Sequence, residues 1–405
     1  MSAFLRRLDA RIDYSLIMPV LFLLFVGIYS IFVAVSHDYP SAVLTMVGTQ
    51  VLWIVIGLTC AFVLMFFSTK FLYALTPWLY LLGLVLMVLP LVFSNPQLVA
   101  ATGSKNWVSI GGLPLFQPSE LMKIAYILIM ARAIVGYTDR HRLEERTIKK
   151  DWYLIGELSL ISLPIFILLA LQHDLGTALV FFAIYCGLVL VSGVSWKILL
   201  PIGAGGLGAV LTFFLIFLNK DGRAFLHQMG LPTYQINRLL AWLNPFQYAQ
   251  TTTYQQAQGQ IAVGTGGLWG QGVNMTNLNI PVRESDMIFT VIAENFGFMG
   301  SLLLILLYTL VIVRMMLVTL RSHSAFYTYI SSGFMMMLLF HIFENIGAVT
   351  GLLPLTGIPL PFISQGGSSI ISNLIGIGIV LSMSYQNKKK AEERTQSIAR
   401  REKLL

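Results

Sequence analysis

Residues 15–36 read SLIMPVLFLLFVGIYSIFVAVS, twenty-two positions without one charged side chain. About 20 apolar residues, rising about 1.5 Å each, cross the ~30 Å hydrocarbon core of a bilayer. The preceding residues, MSAFLRRLDARIDY, are basic. A secretory leader has an apolar region of only about 7–15 residues that ends at a small-residue cleavage site. This run is longer and no such site follows, so it reads as a retained first span.

Nine more runs of the same kind follow, at 44–66, 71–94, 119–136, 153–171, 176–194, 197–218, 287–318, 326–349 and 368–386. Ten spans of about 20 residues account for about half of the 405-residue chain. The composition agrees: 56% of residues are hydrophobic and 11% charged, and the mean hydropathy is +0.77. A soluble chain carries about a quarter charged residues, and one soluble core cannot hide this much apolar surface. A soluble globular enzyme, a disordered protein and a nucleic-acid binder are excluded, although the pI is about 9.4 and the net charge +8. The expected fold is an all-α polytopic membrane protein, a bundle of about ten transmembrane helices with long extracellular loops. Cys60 and Cys186 both fall within apolar runs, where a thiol behaves as a small hydrophobe.

The basic residues orient the bundle. Of the 26 lysines and arginines, 20 fall at the N-terminus, in alternate loops from 67–70 onward, at the end of span four, or in the tail. By the positive-inside rule both termini are cytoplasmic, and the charged segments there, including TDRHRLEERTIKKD, contact anionic lipid headgroups. The domain reading is a single transmembrane domain over 1–405, with a cytoplasmic N-terminus at 1–14, a large extracellular loop at 219–286 and a basic cytoplasmic tail at 387–405. Loops 95–118 and 219–286 are long, poor in charge and rich in Gly, Gln, Asn and aromatics. Loops of that length are uncommon unless functional or disordered, so function is expected to face outward.

A charge within a span costs at least about 2.5–3.5 kcal/mol at the helix centre and marks a functional site by default. Glu120, Asp174, Asp286, Glu294 and Glu344 all fall at the outer ends or in the outer halves of spans. Glu120 and Lys123 share a helical face and can pair; alternatively Lys123 offers its cation to an anionic ligand. Asp286 sits at the outer water interface, with Glu294 about 12 Å below it. His341, Glu344 and Asn345 follow an i, i+3, i+4 pattern on one face. If spans four, eight and nine converge, these groups line an outward-facing cavity.

Three stretches read as shaped backbone. GTGGLWGQG (264–272) has the glycine spacing of a phosphate loop without the strand or the Lys-Ser/Thr, so an ordered kinked loop or re-entrant turn is expected. LLPLTGIPLPFISQGGSS (352–369) holds three prolines and three glycines and cannot be a regular helix. At membrane depth such backbone is tolerated only where it is buried or lines a wet cavity. In GSKNWVSIGGLPLFQPSE (103–120), Pro118 and Ser119-Glu120 suit a first helical turn.

These stretches carry a resemblance. Gln117-Pro118-Ser119-Glu120 with Lys123, Gln172-His173-Asp174-Leu175-Gly176-Thr177, the 264–272 loop and Glu284-Ser285-Asp286-Met287-Ile288-Phe289 occur in the order of the SEDS family, which comprises the RodA, FtsW and SpoVE cell-wall proteins. His341…Asn345-Ile346-Gly347, Gly351-Leu352-Leu353-Pro354 and Leu360-Pro361-Phe362-Ile363-Ser364 extend it. The likeness runs from span one to span ten. Thr356-Gly357-Ile358-Pro359 resembles the RodA branch, whereas FtsW proteins usually have Lys-Gly-Leu there. Gln365 stands where many members have Tyr, and Asn295 where a second Glu is common.

The resemblance implies a peptidoglycan glycosyltransferase that polymerises lipid II at the outer face of the bacterial cytoplasmic membrane, for cell elongation and shape. It implies Asp286 as the catalytic acid, which suits a general base for the acceptor hydroxyl, and inversion by a single displacement of undecaprenyl diphosphate. Lys123, Arg238 and Arg283 are the candidate cations for the diphosphate, with Lys105 behind them. Trp107, Trp242, Gln172, Gln255, Gln258 and Gln260 are candidate contacts for sugar and peptide. Glu120, Asp174, Glu294, His341, Asn345, Ser364 and Ser368 complete the expected substrate-binding set. The implied partner is a class B penicillin-binding protein of the elongation machinery. No cofactor is evident; a divalent cation (Mg or Mn) at the diphosphate is left open, since no carboxylate cluster has metal-ligand spacing. The rival readings are a lipid II flippase, which needs a polar path to the cytoplasmic side, and a scaffold that only positions the penicillin-binding protein.

Overall fold

In lipid the only cheap way to satisfy a lone segment's backbone is a helix, and the chain complies in all ten apolar runs. A computed structural model describes residues 11–231, 233–247, 254–272, 280–322 and 324–402. The spans are α1 (Tyr14–Asp38), α2 (Val43–Leu64), α3 (Thr69–Val92), α5 (Pro118–Arg140), α6 (Ile148–Leu171), α7 (Leu175–Val191), α8 (Trp196–Leu218), α12 (Ile288–Leu320), α13 (Ala325–Thr350) and α14 (Gly367–Glu402). Nine are long and apolar enough to cross a membrane, and the tenth, α7, is a shorter apolar helix of 17 residues. The protein is an all-α polytopic membrane protein.

The loops between the spans are more structured than their composition suggests. Loop 95–118 folds into α4 (Pro96–Thr102) and an antiparallel hairpin, β1 (Val108–Ile110) with β2 (Leu113–Phe116). Loop 219–286 contributes α9 (Lys220–Gln228), α10 (Thr233–Leu243) and α11 (Tyr254–Thr265); its residues 232, 248–253 and 273–279 lie outside the described set, as do 1–10, 323 and 403–405.

The centre of the bundle is α5, α13 and α14, which pack on one another, with α1 and α2 on one flank and α3, α6 and α7 on the other. Spans four, eight and nine (α5, α12 and α13) do converge: α13 packs on both α5 and α12. The rim is apolar outward, with Phe25, Trp78, Val85, Leu160 and Leu303 exposed as lipid-facing side chains. Helix α8 stands apart, with only Ile198 and Phe217 buried along it.

Ion pairs fix one end. Asp13, at the start of α1, is buried, meets Arg314 of α12 at 2.8 Å and accepts a bond from Ser384 of α14. Asp286 immediately precedes the N-terminal end of α12 and Arg314 lies towards its C-terminal end, so the carboxylate and the Asp13–Arg314 pair stand at opposite ends of that helix.

Candidate active site

The backbone around Asp286 is held from below. Ser364 Oγ donates to the Ser285 carbonyl at 2.7 Å and accepts the Leu360 amide at 2.8 Å, while the Gln365 amide donates to the Glu284 carbonyl at 2.9 Å. Asn345 Nδ2 donates to the carbonyls of Asp286 and Ile358, both at 2.8 Å. The irregular segment 352–366 is thus buried backbone stitched to α13 and to the turn before α12, which satisfies the demand of lipid depth.

All three polar residues on the α13 face serve this stitching. His341 contacts the Pro359 carbonyl through Nδ1 at 3.1 Å and Lys123 Nζ through Nε2 at 3.0 Å. Lysine only donates, so the bonding assigns the proton to Nδ1 and the acceptor role to Nε2. Glu344 Oε1 accepts from both the amide and the hydroxyl of Thr356. The strap Thr356–Pro359 is therefore gripped at Thr356, Ile358 and Pro359. Gly357 has φ +81°, and a Cβ there would stand 3.4 Å from Asp286 Oδ2, so the strap forms the wall against the carboxylate.

Lys123 is buried and 2.8 Å from Glu120. Of the two readings of that face, the structure shows the pair. The chain Glu120–Lys123–His341–Pro359 carries the strap's fixation back into α5. Arg283 corrects the sequence expectation more sharply. Its side chain and that of Glu294 are both 0% exposed and form an ion pair, with Arg283 Nε also donating to Thr290 Oγ1 at 3.2 Å. The guanidinium is neutralised inside the protein by Glu294 rather than presented at the surface.

Several other expected ligand contacts are occupied within the fold. Asp174 caps α7 through the Thr177 amide and hydroxyl and accepts from Asn106 Nδ2 at 2.7 Å. Gln172 donates to the Met87 carbonyl at 2.6 Å and is buried. Ser368 Oγ accepts the Gln117 amide at 3.1 Å, Trp242 Nε1 donates to the Gly351 carbonyl at 2.9 Å, and Gln255 to that of Pro281 at 3.0 Å. Trp107 is half-buried and Lys105 exposed.

Asp286 and Arg238 remain at the surface of this assembly. Asp286 is half-buried and accepts the Ser285 hydroxyl at 2.8 Å. Burial holds its carboxyl above the ordinary carboxylate range, while the Ser285 bond and the Arg238 charge pull it back. Arg238, on α10, is exposed and contacts the Thr356 carbonyl at 3.4 Å. A carboxylate and a guanidinium thus flank one strap, the first able to take a proton and the second to meet an anion. Thr356 and Gly357 were absent from the expected site, and Glu344, named as a cavity-lining charge, was not in the expected substrate-binding set. Glu344 shares the His341/Asn345 face, and that pattern was its signal. Among the described residues no group of three His, Cys, Asp or Glu is placed to hold a metal ion.

The 264–272 loop also has a definite task. Gly297 (φ 62°, ψ −155°) breaks α12, so the amides of Phe298 and Met299 lose the carbonyls of Glu294 and Asn295. Those amides donate instead to Gly267 and Leu268 at 2.8 and 3.1 Å, and the freed carbonyls accept from Gln271 and Gly272 at 2.8 and 3.3 Å. A Cβ on Gly297 would lie 2.4 Å from the Gly270 nitrogen. The re-entrant turn replaces each bond that the break removes, one turn below Glu294.

A bundle of membrane spans, with a half-buried carboxylate and an exposed guanidinium on either side of a proline-rich strap, defines a polytopic membrane protein. The family described as cell cycle protein, FTSW_RODA_SPOVE, matches residues 12–389. This chain belongs to that family. Peptidoglycan glycosyltransferase MrdB of Escherichia coli K12 is 33% identical over 316 residues, covering 77% of this chain and 78% of its own length. A solved structure described as the structural coordination of polymerization and crosslinking by a peptidoglycan synthase complex matches with TM-score 0.71 and 29% identity, over 93% of this chain and 98% of the other. The rod shape determining protein RodA of Thermus thermophilus matches with TM-score 0.63 and 28% identity, over 92% and 96%.

Proposed function

We propose that the chain is a peptidoglycan glycosyltransferase that polymerises lipid II into glycan strands, with Asp286 as general base. The observation that carries this reading is the Asp286 carboxylate, half-buried at the end of α12 away from the Asp13–Arg314 pair, with its backbone fixed by Asn345 and Arg238 across the strap. The acceptor sugar's 4-hydroxyl oxygen attacks C1 of the donor sugar as its proton passes to Asp286. The C1–oxygen bond to the diphosphate breaks, and the electron pair leaves with the polyprenyl diphosphate. One displacement inverts C1. Arg238 meets the charge developing on the diphosphate, the kind of preorganised electrostatic contact that lowers such barriers most. A divalent cation carried on the diphosphate would arrive with the substrate.

The charge distribution supports the location. With 20 of 26 basic residues on the side of the termini, Asp286 faces outward from the bacterial cytoplasmic membrane, where lipid II is consumed. A crosslinking class B penicillin-binding protein is the partner this reading calls for, in keeping with the synthase complex that the chain resembles.

The test supplies purified protein with lipid II and measures glycan strands, with and without the partner. Asp286→Asn is expected to make none while inserting normally and binding the partner. Strands formed by that variant at the wild-type rate would remove Asp286 from the role. Translocation of lipid II across vesicles by the wild-type protein without polymer would make it a flippase.

A further inference from the structure

Glu344 is a carboxylate close to Asp286 for which the proposed reaction has no use. It is 3% exposed, lies on α13 between the residues that grip the strap, and interacts electrostatically with both Asp286 and Arg238. Oε1 takes two bonds from Thr356; Oε2 is buried and has no hydrogen-bond partner among the described residues. Leaving a buried carboxylate oxygen unsatisfied costs free energy, and a buried polar atom kept without a partner calls for an explanation beyond packing.

Thr356 supplies that explanation. Its amide and hydroxyl go to Glu344, its carbonyl accepts from Arg238, and the next residue, Gly357, forms the wall against the Asp286 carboxylate. One residue therefore couples the position of the exposed guanidinium to that of the carboxylate. Among the described residues, Glu344 is the only side chain from within the bundle that hydrogen-bonds to Thr356. We propose that Glu344 is a positioning residue for glycosyl transfer, holding Thr356–Gly357 so that Asp286 and Arg238 face the same reacting centre. It touches no substrate and acts through the strap. The inference rests on the reading of Asp286 as the base.

The experiment measures initial rates of lipid II consumption and thermal unfolding for the full chain in nanodiscs, with five proteins besides wild type. Glu344→Ala removes the acceptor for both Thr356 donors. It is expected to lower kcat by about tenfold or more, leave KM within about threefold, and leave the protein folded, the pattern of an interaction made chiefly in the transition state. Glu344→Gln keeps an oxygen acceptor for both donors and restores kcat to within about threefold of wild type. Thr356→Val keeps volume but loses the hydroxyl, so kcat falls by about threefold or more, while Thr356→Ser recovers it. If Glu344→Ala fails to fold, the Thr356 pair decides. Wild-type kcat in Glu344→Ala, or in Thr356→Val where that pair decides, overturns the proposal, as does equal loss in the alanine and glutamine variants. Asp286→Asn separates the two readings. If it is inactive while the Glu344 and Thr356 variants are normal, only the positioning role falls; if it is fully active, the reading of Asp286 falls first.

Discussion

Asn345 holds Asp286 by its backbone, leaving the carboxylate to the surface. Its amide nitrogen spans the Asp286 and Ile358 carbonyls, each at 2.8 Å, and so joins the turn before α12 to the strap between α13 and α14. Two segments far apart in sequence meet at one side chain. The geometry around the carboxylate is then set by bonds that do not compete with its chemistry.

Asn345→Ala is expected to leave both carbonyls without this donor and to destabilise the protein by about 2–4 kcal/mol, measured as the shift in thermal unfolding in detergent. Asn345→Asp should be worse, since a carboxylate cannot donate and would oppose two carbonyl oxygens. Both should lose polymerisation more steeply than stability, because the displaced group carries Asp286. A variant with wild-type rate would show that the backbone bond does not set the carboxylate's place.

The buried Arg283–Glu294 pair makes an asymmetric prediction. Removing one partner of a buried pair typically costs about 3–5 kcal/mol, whereas an apolar replacement of both is often near neutral. Arg283→Met alone should therefore unfold at clearly lower temperature, and Arg283→Met with Glu294→Leu should recover most of the loss. Additive losses in that cycle would mean the two residues act independently, contrary to their shared burial.

The contrast between those two contacts shows what a sequence exposes. All ten spans were legible, because length and apolarity alone force a helix in lipid. The Glu120–Lys123 pair and the His341/Glu344/Asn345 face were legible too, since helical spacing is local. The Arg283–Glu294 pair was not: one partner precedes α12 and the other lies inside it, and no period relates a turn to a helix. Arg283 consequently looked available to a ligand. The strap's role was hidden for the same reason. Its prolines and glycines announce irregular backbone, but which side chains satisfy that backbone depends on tertiary contacts with α5, α12 and α13. Short helices and a hairpin inside the long loops were missed because their apolar residues are few and their length is below one span.

The bond exchange at Gly297 predicts a graded glycine series. Gly297→Ala and Gly270→Ala place a methyl 2.4 Å from the Gly270 nitrogen and 2.1 Å from the Asn295 oxygen, respectively. Losing all four exchanged bonds, at about 0.5–1.5 kcal/mol each, would cost roughly 2–6 kcal/mol, enough to reduce folded protein in the membrane. Gly264→Ala, in the same glycine-rich stretch but with nothing within 4 Å of the new methyl, should be neutral. Equal yields of folded protein across the three variants would contradict the exchange as the loop's task.

The pH dependence of Asp286 has a sign that can be worked out. Burial raises its carboxyl above the ordinary range, opposed by the Ser285 hydroxyl and by Arg238. A raised folded-state value means that stability from this group is greatest below the ordinary carboxylate range and is lost as pH rises through the raised value. A general base must be ionised, so activity rises across the same interval in which that stability falls. The acid limb of kcat/KM should lie above the ordinary carboxylate range of about 4. Ser285→Ala and Arg238→Gln each remove a group that favours the ionised form, so each should move the limb to higher pH. Their effects differ elsewhere: Arg238→Gln should also lower the plateau, since the guanidinium meets the leaving diphosphate, while Ser285→Ala should leave the plateau nearly unchanged. Initial rates over about pH 4 to 8 read both effects, and a limb that moves to lower pH in either variant would contradict the assignment of Asp286 as the titrating base.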